Sequence, residues 1–168
     1  MFFTAHFQNA YVTHDYEKAK ELLSKRFGLK DWLDIDADME LKTPKGTKAA
    51  TCKVGLVWQG GHQIELIQPL TGYSDHYDAF LPEDTSDPTP RFHHVCVRRD
   101  DLDAMRKEIE ELDIPFAFEG EVKGENGETV MIFTYLDARG TIGHFLEYIW
   151  ATPETWEWQG WPKEKPVF

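Results

Sequence analysis

Two kinds of hydrophobic pattern alternate along the first half of the chain. A short apolar strand precedes a segment in which apolar residues recur at helical spacing, and Gly28 stands where a helix C-cap is expected. The apolar stripe of this helix consists of Tyr16, Ala19, Leu22, Leu23 and Phe27. The pattern then changes to strands separated by Pro-Lys-Gly and Gly-Gly turns. We expect these strands in the segments MELKT, ATCKVGLVWQ and HQIELIQP.

The second half of the chain repeats this plan. The stripe of its helix consists of Leu102, Met105, Ile109 and Leu112. The first three of these residues lie 86 positions after members of the first stripe, and Asp101 lies 86 positions after Asp15, each Asp at a predicted helix start. Three further strands are expected in the segments FAFEGEV, TVMIFTYLD and GHFLEYIW.

The repeat predicts an α+β fold built from two tandem βαβββ modules. A unit of this size cannot bury its own sheet face, so the two modules should pack together as one domain. We assign residues 4–75 to the first module and residues 91–150 to the second. Residues 76–90, rich in Asp and Pro, are expected to form a linker with one short helix, and residues 151–168 form a Trp-rich tail.

Two adjacent histidines begin the second module. Neighbouring residues on a strand point to opposite faces, so His93 and His94 are not expected to enter the same site. Superposing the modules places His94 on Gln8, and the last strands pair Glu65 with Glu147 at an offset of 82. All four superposed side chains can coordinate a metal through oxygen or nitrogen.

The segments HVCVRRDDL and QNAYVTHDY resemble a pattern of the vicinal oxygen chelate superfamily, H-x-x-x-x-V-x-D-L/Y. This superfamily includes glyoxalase I, methylmalonyl-CoA epimerase, extradiol dioxygenases and bleomycin-resistance proteins. The resemblance covers residues 4–150. It implies an open, cup-shaped mixed sheet with flanking helices, and a divalent metal held by the first and fourth strands of each module.

The resemblance assigns the metal to four ligands, which are Gln8, Glu65, His94 and Glu147. His6 has the same strand parity as Gln8 and is the alternative ligand if the register is displaced by two residues, whereas His93 should face away. One imidazole, one amide and two carboxylates suit Zn, Co, Ni or Mn better than Mg or Fe.

This ligand set predicts a metal-dependent isomerase, epimerase or lyase that removes a proton next to a polarised carbonyl. Glu147 is the preferred catalytic base, with Glu65 as its partner across the substrate, and Glu40 is a weaker candidate. Cys96 has the parity of His94 and is expected to be a core residue rather than a nucleophile. The expected substrate is a small carbonyl compound, either an acyl thioester or a lipophilic ketone.

Three other functions stay open at this point. Glyoxalase I (lactoylglutathione lyase) of the animal type resembles this chain in its ligand set. An Fe(II) ring-cleaving dioxygenase uses two histidines and one carboxylate, so Gln8 counts against it. A metal-free protein that binds hydrophobic drugs, like the bleomycin-resistance proteins, would use the cup without catalysis.

The composition restricts the partners and the location. A formal net charge of −12 argues against nucleic acid as a partner, since a phosphate backbone requires a concentrated basic surface. No apolar run is long enough to span a membrane, and the first residues lack the features of a signal peptide. Cys52 and Cys96, 44 positions apart, form no disulfide or CxxC pattern, so a cytoplasmic protein is expected.

Two further segments have no assigned role in this site. The loop LKTPKGTK carries three lysines and is expected to be a solvated hairpin tip. Four tryptophans fall within twelve positions at the end of the second module and in the tail, Trp150, Trp156, Trp158 and Trp161. They should pack across the modules, form a subunit contact or close the cup over an apolar substrate. We favour packing or a subunit contact and expect a homodimer.

Overall fold

The structure, a computed structural model, describes residues 2–162. Its first half contains a 3-10 turn at Phe2–Ala5, then β1 (His6–Val12), α1 (Tyr16–Phe27), β2 (Leu33–Thr43), β3 (Gly46–Gln59) and β4 (His62–Gly72). A short helix, α2 (Asp75–Asp78), follows in the predicted linker. The second half contains β5 (Arg91–Arg99), α3 (Leu102–Glu111), β6 (Phe116–Lys123), β7 (Thr129–Leu136), α4 (Arg139–Ile142), β8 (Phe145–Ala151) and α5 (Pro153–Trp158).

Both long helices begin at the aspartates that the repeat predicts. The side chain of Asp15 accepts a hydrogen bond from the backbone N–H of Lys18, and that of Asp101 accepts one from Ala104. These are N-cap contacts, which satisfy N–H groups that lack a partner within the helix. Helix α1 ends at Gly28, whose φ of 69° lies in the left-handed region that glycine adopts without strain.

The eight strands form one mixed sheet that curls into a barrel in the order β1-β4-β3-β2-β6-β7-β8-β5. The pairs β1–β4 and β5–β8 are parallel, and the other neighbours are antiparallel. The predicted α+β fold is therefore confirmed. The barrel closes between β2 and β6 through only two residue pairs, Leu41–Gly120 and Lys42–Glu119, so the rest of this seam stays open.

Strand β2 is longer than the sequence analysis predicted. The prediction began at Met39, whereas the strand begins at Leu33 and its outward positions carry acidic residues. Apolar residues alternate with these acids, which is the pattern of a strand with one face toward the interior and one toward solvent.

The hydrogen-bond register repeats the duplication seen in the sequence. Gln8 pairs with Cys96 and Ala10 pairs with His94 across β1 and β5, so an 86-residue shift exchanges the two pairs. Glu65 lies beside Ala10 and Glu147 beside Cys96 in the two parallel pairs, as the offset of 82 requires.

Each of the two central strands also carries one extra residue. The register between β1 and β5 shifts at Phe7 on β1 and at His93 on β5, which are equivalent under the 86-residue shift. An extra residue in one strand of a pair is a β-bulge, and it interrupts the alternation of side chains between the two faces.

Part of the tail, including Trp156 and Trp161, packs across the barrel, as one of the sequence predictions proposed. Trp156 is buried and contacts Phe7, with ring centroids 5.6 Å apart. The indole N–H of Trp58 donates a 2.8 Å hydrogen bond to the carbonyl of Gln159. The second half of the chain is thereby held against β1 and β3 of the first, while residues 163–168 of the predicted tail lie outside the described residues.

Within residues 2–162, no helix is long and apolar enough to cross a membrane. The lysine loop forms the turn between β2 and β3, and Lys45 and Lys48 are exposed, as expected for a hairpin tip.

Candidate metal centre

Three of the four predicted ligands meet inside the barrel. Nε2 of His94 on β5 lies 3.1 Å from Oε2 of Glu147 on β8 and 3.3 Å from Oε2 of Glu65 on β4. One ligand atom from each residue lies within 4.8 Å of the other two. Two carboxylates and an imidazole so close together match the donor set of a divalent metal site.

Gln8, the fourth predicted ligand, lines the same cavity as Glu65 and Glu147. Its side chain is only 2% exposed, and its Nε2 donates a 2.7 Å hydrogen bond to Oε1 of Gln63. That contact leaves Oε1 of Gln8 buried without a hydrogen-bond partner. Oε2 of Glu65 is also buried without a hydrogen bond, although it lies near His94. Buried oxygens without partners are costly in a native protein, so their presence here fits a site built for a cation.

His93 is not part of the Glu65–His94–Glu147 cluster, but the strand alternation that was expected to separate it from His94 does not hold. Both residues are fully buried, and their Nδ1 atoms lie 2.8 Å apart. The β-bulge at His93 explains the difference, because an extra residue interrupts the alternation on which the prediction relied.

The hydrogen bonds of His93 determine which nitrogen of His94 carries a proton. Burial, together with the charge of His94, holds the pKa of His93 well below its usual value, so this ring is neutral. Its Nε2 lies 3.0 Å from the carbonyl oxygen of His76, which can only accept, so Nε2 carries the proton. Nδ1 of His93 is then an acceptor and must receive its hydrogen bond from Nδ1–H of His94. Nε2 of His94 is consequently the nitrogen directed at the two carboxylates.

The electrostatics of the cluster follow from its burial and its two acids. Burial lowers the pKa of His94, but Glu147 and Glu65 outweigh this effect and raise it to about 9. Burial raises the pKa of Glu65. Tyr135, whose hydroxyl lies 3.2 Å from Nε2 of His94, also has a raised pKa because it is buried, so its phenol keeps its proton. The cluster therefore offers both carboxylates and proton donors in a small dry volume.

The other sequence candidates lie elsewhere. Nε2 of His6 lies 3.0 Å from the carbonyl oxygen of Gln8 and from Oδ1 of Asn9, and His6 is not part of the Glu65–His94–Glu147 cluster. The bulge at Phe7 breaks the shared parity of His6 and Gln8. Glu40 is exposed on β2. Cys96 is fully buried and burial raises its pKa, which matches the predicted core role.

Sequence reasoning missed Gln63 and Tyr135. Gln63 has the strand parity of Glu65, and Tyr135 pairs with Glu147 across β7 and β8. The signal for Gln63 was available in the segment HQIEL, where a second amide lies two residues before the ligand. Tyr135 could be predicted only from the register of β7 against β8, and the sequence does not reveal that register.

The cluster lies in a cavity of about 320 Å³. Apolar side chains make up most of its wall, contributed by both halves of the chain. It is also lined by residues 35–39 of β2 and by Val122 and Met131 on the other side of the open seam. Trp158, 60% exposed, and Gln159 bring the tail to this opening. A small apolar molecule could reach the carboxylates by this route.

Solved structures show that the fold is shared with epimerases. The chain is similar to methylmalonyl-CoA epimerase from Mycobacterium tuberculosis, with 16% identity and a TM-score of 0.55 over 92% of each chain. A hypothetical protein from Bacillus halodurans matches with 16% identity and a TM-score of 0.53, covering 88% of this chain and 94% of the other. A variant of the Streptomyces coelicolor epimerase, in complex with 2-nitronate-propionyl-CoA, matches with 14% identity and a TM-score of 0.54, covering 89% and 98%.

No curated protein sequence matches the chain. Residues 7–132 match the profile of one protein family, and this match spans both central strands and three of the four predicted ligands. It confirms the resemblance seen in the sequence, so the chain belongs to the Glyoxalase/Bleomycin resistance protein/Dioxygenase superfamily.

Proposed function

We propose that this protein is a divalent-metal-dependent epimerase, isomerase or lyase that removes a proton next to a carbonyl group. The observation that carries the proposal is the meeting of Glu65, His94 and Glu147, with an unpartnered oxygen of Gln8 in the same cavity. The fold shared with methylmalonyl-CoA epimerases supports the same reaction class.

The metal would be held by Oε1 of Gln8, Nε2 of His94 and a carboxylate oxygen from each of Glu65 and Glu147. Two carboxylates balance the charge of a divalent ion, and the mixed nitrogen and oxygen donors suit Zn, Co, Ni or Mn better than Mg or Fe. When bound, such an ion supplies Lewis-acid polarisation of a substrate carbonyl.

The two glutamates supply the proton transfer. They are equivalent under the duplication and their oxygens lie no more than 4.8 Å apart, so they can reach one substrate carbon from two sides. Glu147 would act as the base while its carboxylate is released from the ion, and Glu65 would return a proton from its own side of the substrate. Return to another face gives epimerisation, and return to another carbon gives isomerisation.

The surrounding residues exclude water and hold the donors. Tyr135 keeps its phenolic proton and can donate a hydrogen bond to an oxygen in the cavity. His93 fixes the orientation of the His94 ring through the Nδ1 contact. The apolar wall lowers the local dielectric constant, which strengthens each of these interactions.

Two experiments, metal analysis first and proton exchange second, test the proposal. Plasma mass spectrometry of the purified protein should find about one equivalent of Zn, Co, Ni or Mn. The His94→Ala variant should lose the metal, whereas Glu125→Gln, a change at an exposed turn residue, should keep it. Absence of metal after incubation with each divalent ion would reject the proposal.

Solvent-deuterium exchange then tests the chemistry. In D₂O the metal-loaded protein should exchange the proton next to the carbonyl of a 2-methylacyl thioester or of an α-branched ketone for deuterium. Proton NMR would follow the loss of that proton signal. Glu147→Gln should abolish exchange, and Glu125→Gln should not. If no member of such a panel exchanges although the metal is bound, the proton-abstraction mechanism is wrong.

The apolar wall of the cavity favours one second candidate, a protein that binds hydrophobic molecules without turnover. If a chelator did not change the binding of a hydrophobic ligand, this binding function would be favoured. A dioxygenase is less well supported, because His94 is the only imidazole in the ligand cluster within the described residues. Glutathione-dependent turnover would identify glyoxalase I instead. The homodimer and the cytoplasmic location stay predictions.

A further inference from the structure

Each half of the chain contributes one proposed metal ligand from its first strand, Gln8 on β1 and His94 on β5. Each of these residues has a neighbour on the parallel strand beside it. Gln63 on β4 lies beside Gln8, and Phe145 on β8 lies beside His94. Phe145 comes 82 positions after Gln63, which is also the offset between the two ligand glutamates. The two neighbours are therefore equivalent under the duplication, but they differ in chemistry.

In the second half, the ligand finds its hydrogen-bond partner in the residue that precedes it. Nδ1 of His93 lies 2.8 Å from Nδ1 of His94, and Phe145 packs against the His93 ring with centroids 4.9 Å apart. The first half cannot use this arrangement, because Phe7 occupies the position equivalent to His93 and its side chain has no polar atom. The Phe7 ring packs among tryptophan rings instead.

Gln63 supplies the partner that Phe7 cannot. Its Oε1 accepts the 2.7 Å hydrogen bond from Nε2 of Gln8, and both side chains are buried. In the first half, the aromatic residue precedes the ligand and the polar residue lies on the neighbouring strand, whereas the second half has the reverse order. Both halves thus give their first-strand ligand a buried polar partner, although the residues that provide it are not equivalent.

This hydrogen bond determines which end of the Gln8 amide is available to a metal. The oxygen of an amide can bind a cation, whereas its NH₂ group only donates hydrogen bonds. With Nε2 directed to Gln63, Oε1 is the end that stays without a hydrogen-bond partner among the described residues, on a side chain that lines the cavity. An amide in the reverse orientation would present its NH₂ group to the cation and could not act as a ligand.

The pair of amides is a poor choice for packing alone. Nε2 of Gln63 is also buried without a partner among the described residues, so one polar atom of each amide is unsatisfied. Two apolar residues of similar shape would fill the same space without this cost. A role in holding a cation explains why Gln8 is polar, and a role in holding Gln8 explains why Gln63 is polar.

We propose that Gln63 is a positioning residue of the metal centre, which holds the Gln8 amide with its oxygen toward the metal. The inference rests on the proposed function, because it takes Gln8 as a ligand. Gln63 is not among the residues that line the cavity, so it acts through Gln8 and not by contact with the metal or the substrate. Its amide does for Gln8 what the His93 ring does for His94.

A double-mutant cycle on Zn affinity tests whether Gln63 acts through Gln8. Gln63→Met keeps a side chain of similar shape but removes the amide acceptor, and it should lower Zn affinity by about tenfold. In the Gln8→Leu variant the same change should alter Zn affinity by less than about twofold, because the amide that Gln63 orients is gone. Competition with a chelating dye would compare the four full-length proteins. Gln59→Met makes the same change at an exposed position and should leave Zn affinity unchanged.

Two further measurements separate positioning from loss of structure. The visible absorption of bound Co(II) depends on its coordination number, so Gln63→Met should give the spectrum of Gln8→Leu, whereas Gln59→Met should give the native spectrum. Without metal, the double variant should unfold at a urea concentration no lower than either single variant, since each single change leaves one amide without its partner. Gln63→Leu should repeat these results, so the test does not depend on one replacement.

The outcomes distinguish this inference from the proposed function. If Gln63→Met lowered Zn affinity equally in the native protein and in Gln8→Leu, Gln63 would act independently of Gln8 and the inference would be overturned. A folded Gln63→Met variant with native Zn affinity would overturn it as well. In both cases the native protein binds Zn, so the proposed metal centre stands. A native protein that bound no Zn would reject the proposed function and the inference together.

Discussion

His93 and His94 are neighbours on one strand, yet their Nδ1 atoms share a 2.8 Å hydrogen bond. The bulge at His93 makes this contact possible, and the carbonyl of His76 orients the second ring through a 3.0 Å contact with Nε2. A histidine ligand usually donates its other N–H to an acceptor that fixes its tautomer. For His94, the proposed ligand, that acceptor is the imidazole of His93, and the backbone carbonyl of His76 holds His93 in turn.

The first prediction concerns this acceptor. His93→Phe should fit among the surrounding rings of Tyr77, Phe80 and Phe145 but would leave Nδ1–H of His94 without a partner. We expect Zn affinity to fall by about 10–100-fold, as for other lost partners of metal ligands. Competition with a chelating dye would measure the loss.

Two variants show whether the loss comes from hydrogen bonding. His93→Asn keeps an acceptor close to the Nδ1 position and should restore most of the Zn affinity. His144→Phe, at a half-buried histidine outside the cluster, should leave affinity unchanged. Equal losses in His93→Phe and His93→Asn would show that the acceptor is not what matters.

A second prediction separates Gln8 from His6 as the metal ligand of β1. Gln8→Leu removes the unpartnered oxygen in the cavity and should lower Zn affinity by about tenfold or more. His6→Leu should have little effect, because the His6 ring contacts Asn9 and the backbone rather than the cluster. The same dye competition decides between them. A larger loss in His6→Leu than in Gln8→Leu would show that His6 is the ligand on β1.

The sequence could predict the fold and most of the candidate centre because both depend on periodic signals. Asp15 and Asp101 mark the helix starts of the two halves. The same 86-residue offset relates the paired residues of β1 and β5. The direction of His93 could not be predicted in this way. A bulge is a local change in pairing between two strands, so no periodicity along one strand reveals it. Tyr135 was missed for a related reason, since its place beside the ligands depends on which residue of β8 it pairs with.

A third prediction concerns the stability of α3 against the sheet. Arg99 donates two hydrogen bonds to Glu108, of 2.7 and 2.8 Å, and the hydroxyl of Tyr148 donates a third, of 3.0 Å. The hydrogen bond from Arg99 outweighs burial and lowers the pKa of Glu108 to about 2, from an ordinary value of 4.5. A lowered folded-state pKa stabilises the protein above pH 4.5, and this contribution is lost as the pH falls toward 2.

Urea unfolding across this pH range tests the pair. Glu108→Gln should lower the free energy of unfolding at pH 7 by about 1 kcal/mol, because solvent screens part of the ion pair. The difference from the native protein should shrink as the pH falls from about 4.5 toward 2. Glu111→Gln, at an exposed position on the same helix, should give a small difference at every pH. A Glu108→Gln deficit that did not change with pH would mean that packing, not charge, holds this contact.

The last prediction follows the proton on His94. Without a metal its pKa is about 9, since Glu147 and Glu65 outweigh the effect of burial, so the ring is protonated at pH 7. Coordination through Nε2 requires that this proton leave, because Nδ1–H is already engaged with His93. Metal affinity should therefore rise with pH up to about 9, by roughly tenfold per unit for one released proton. Calorimetry at pH 7 in two buffers of different ionisation enthalpy would count the protons released. A count of zero would mean that His94 is neutral before binding or is not a ligand, and the His94→Ala variant would distinguish these cases by keeping or losing the metal.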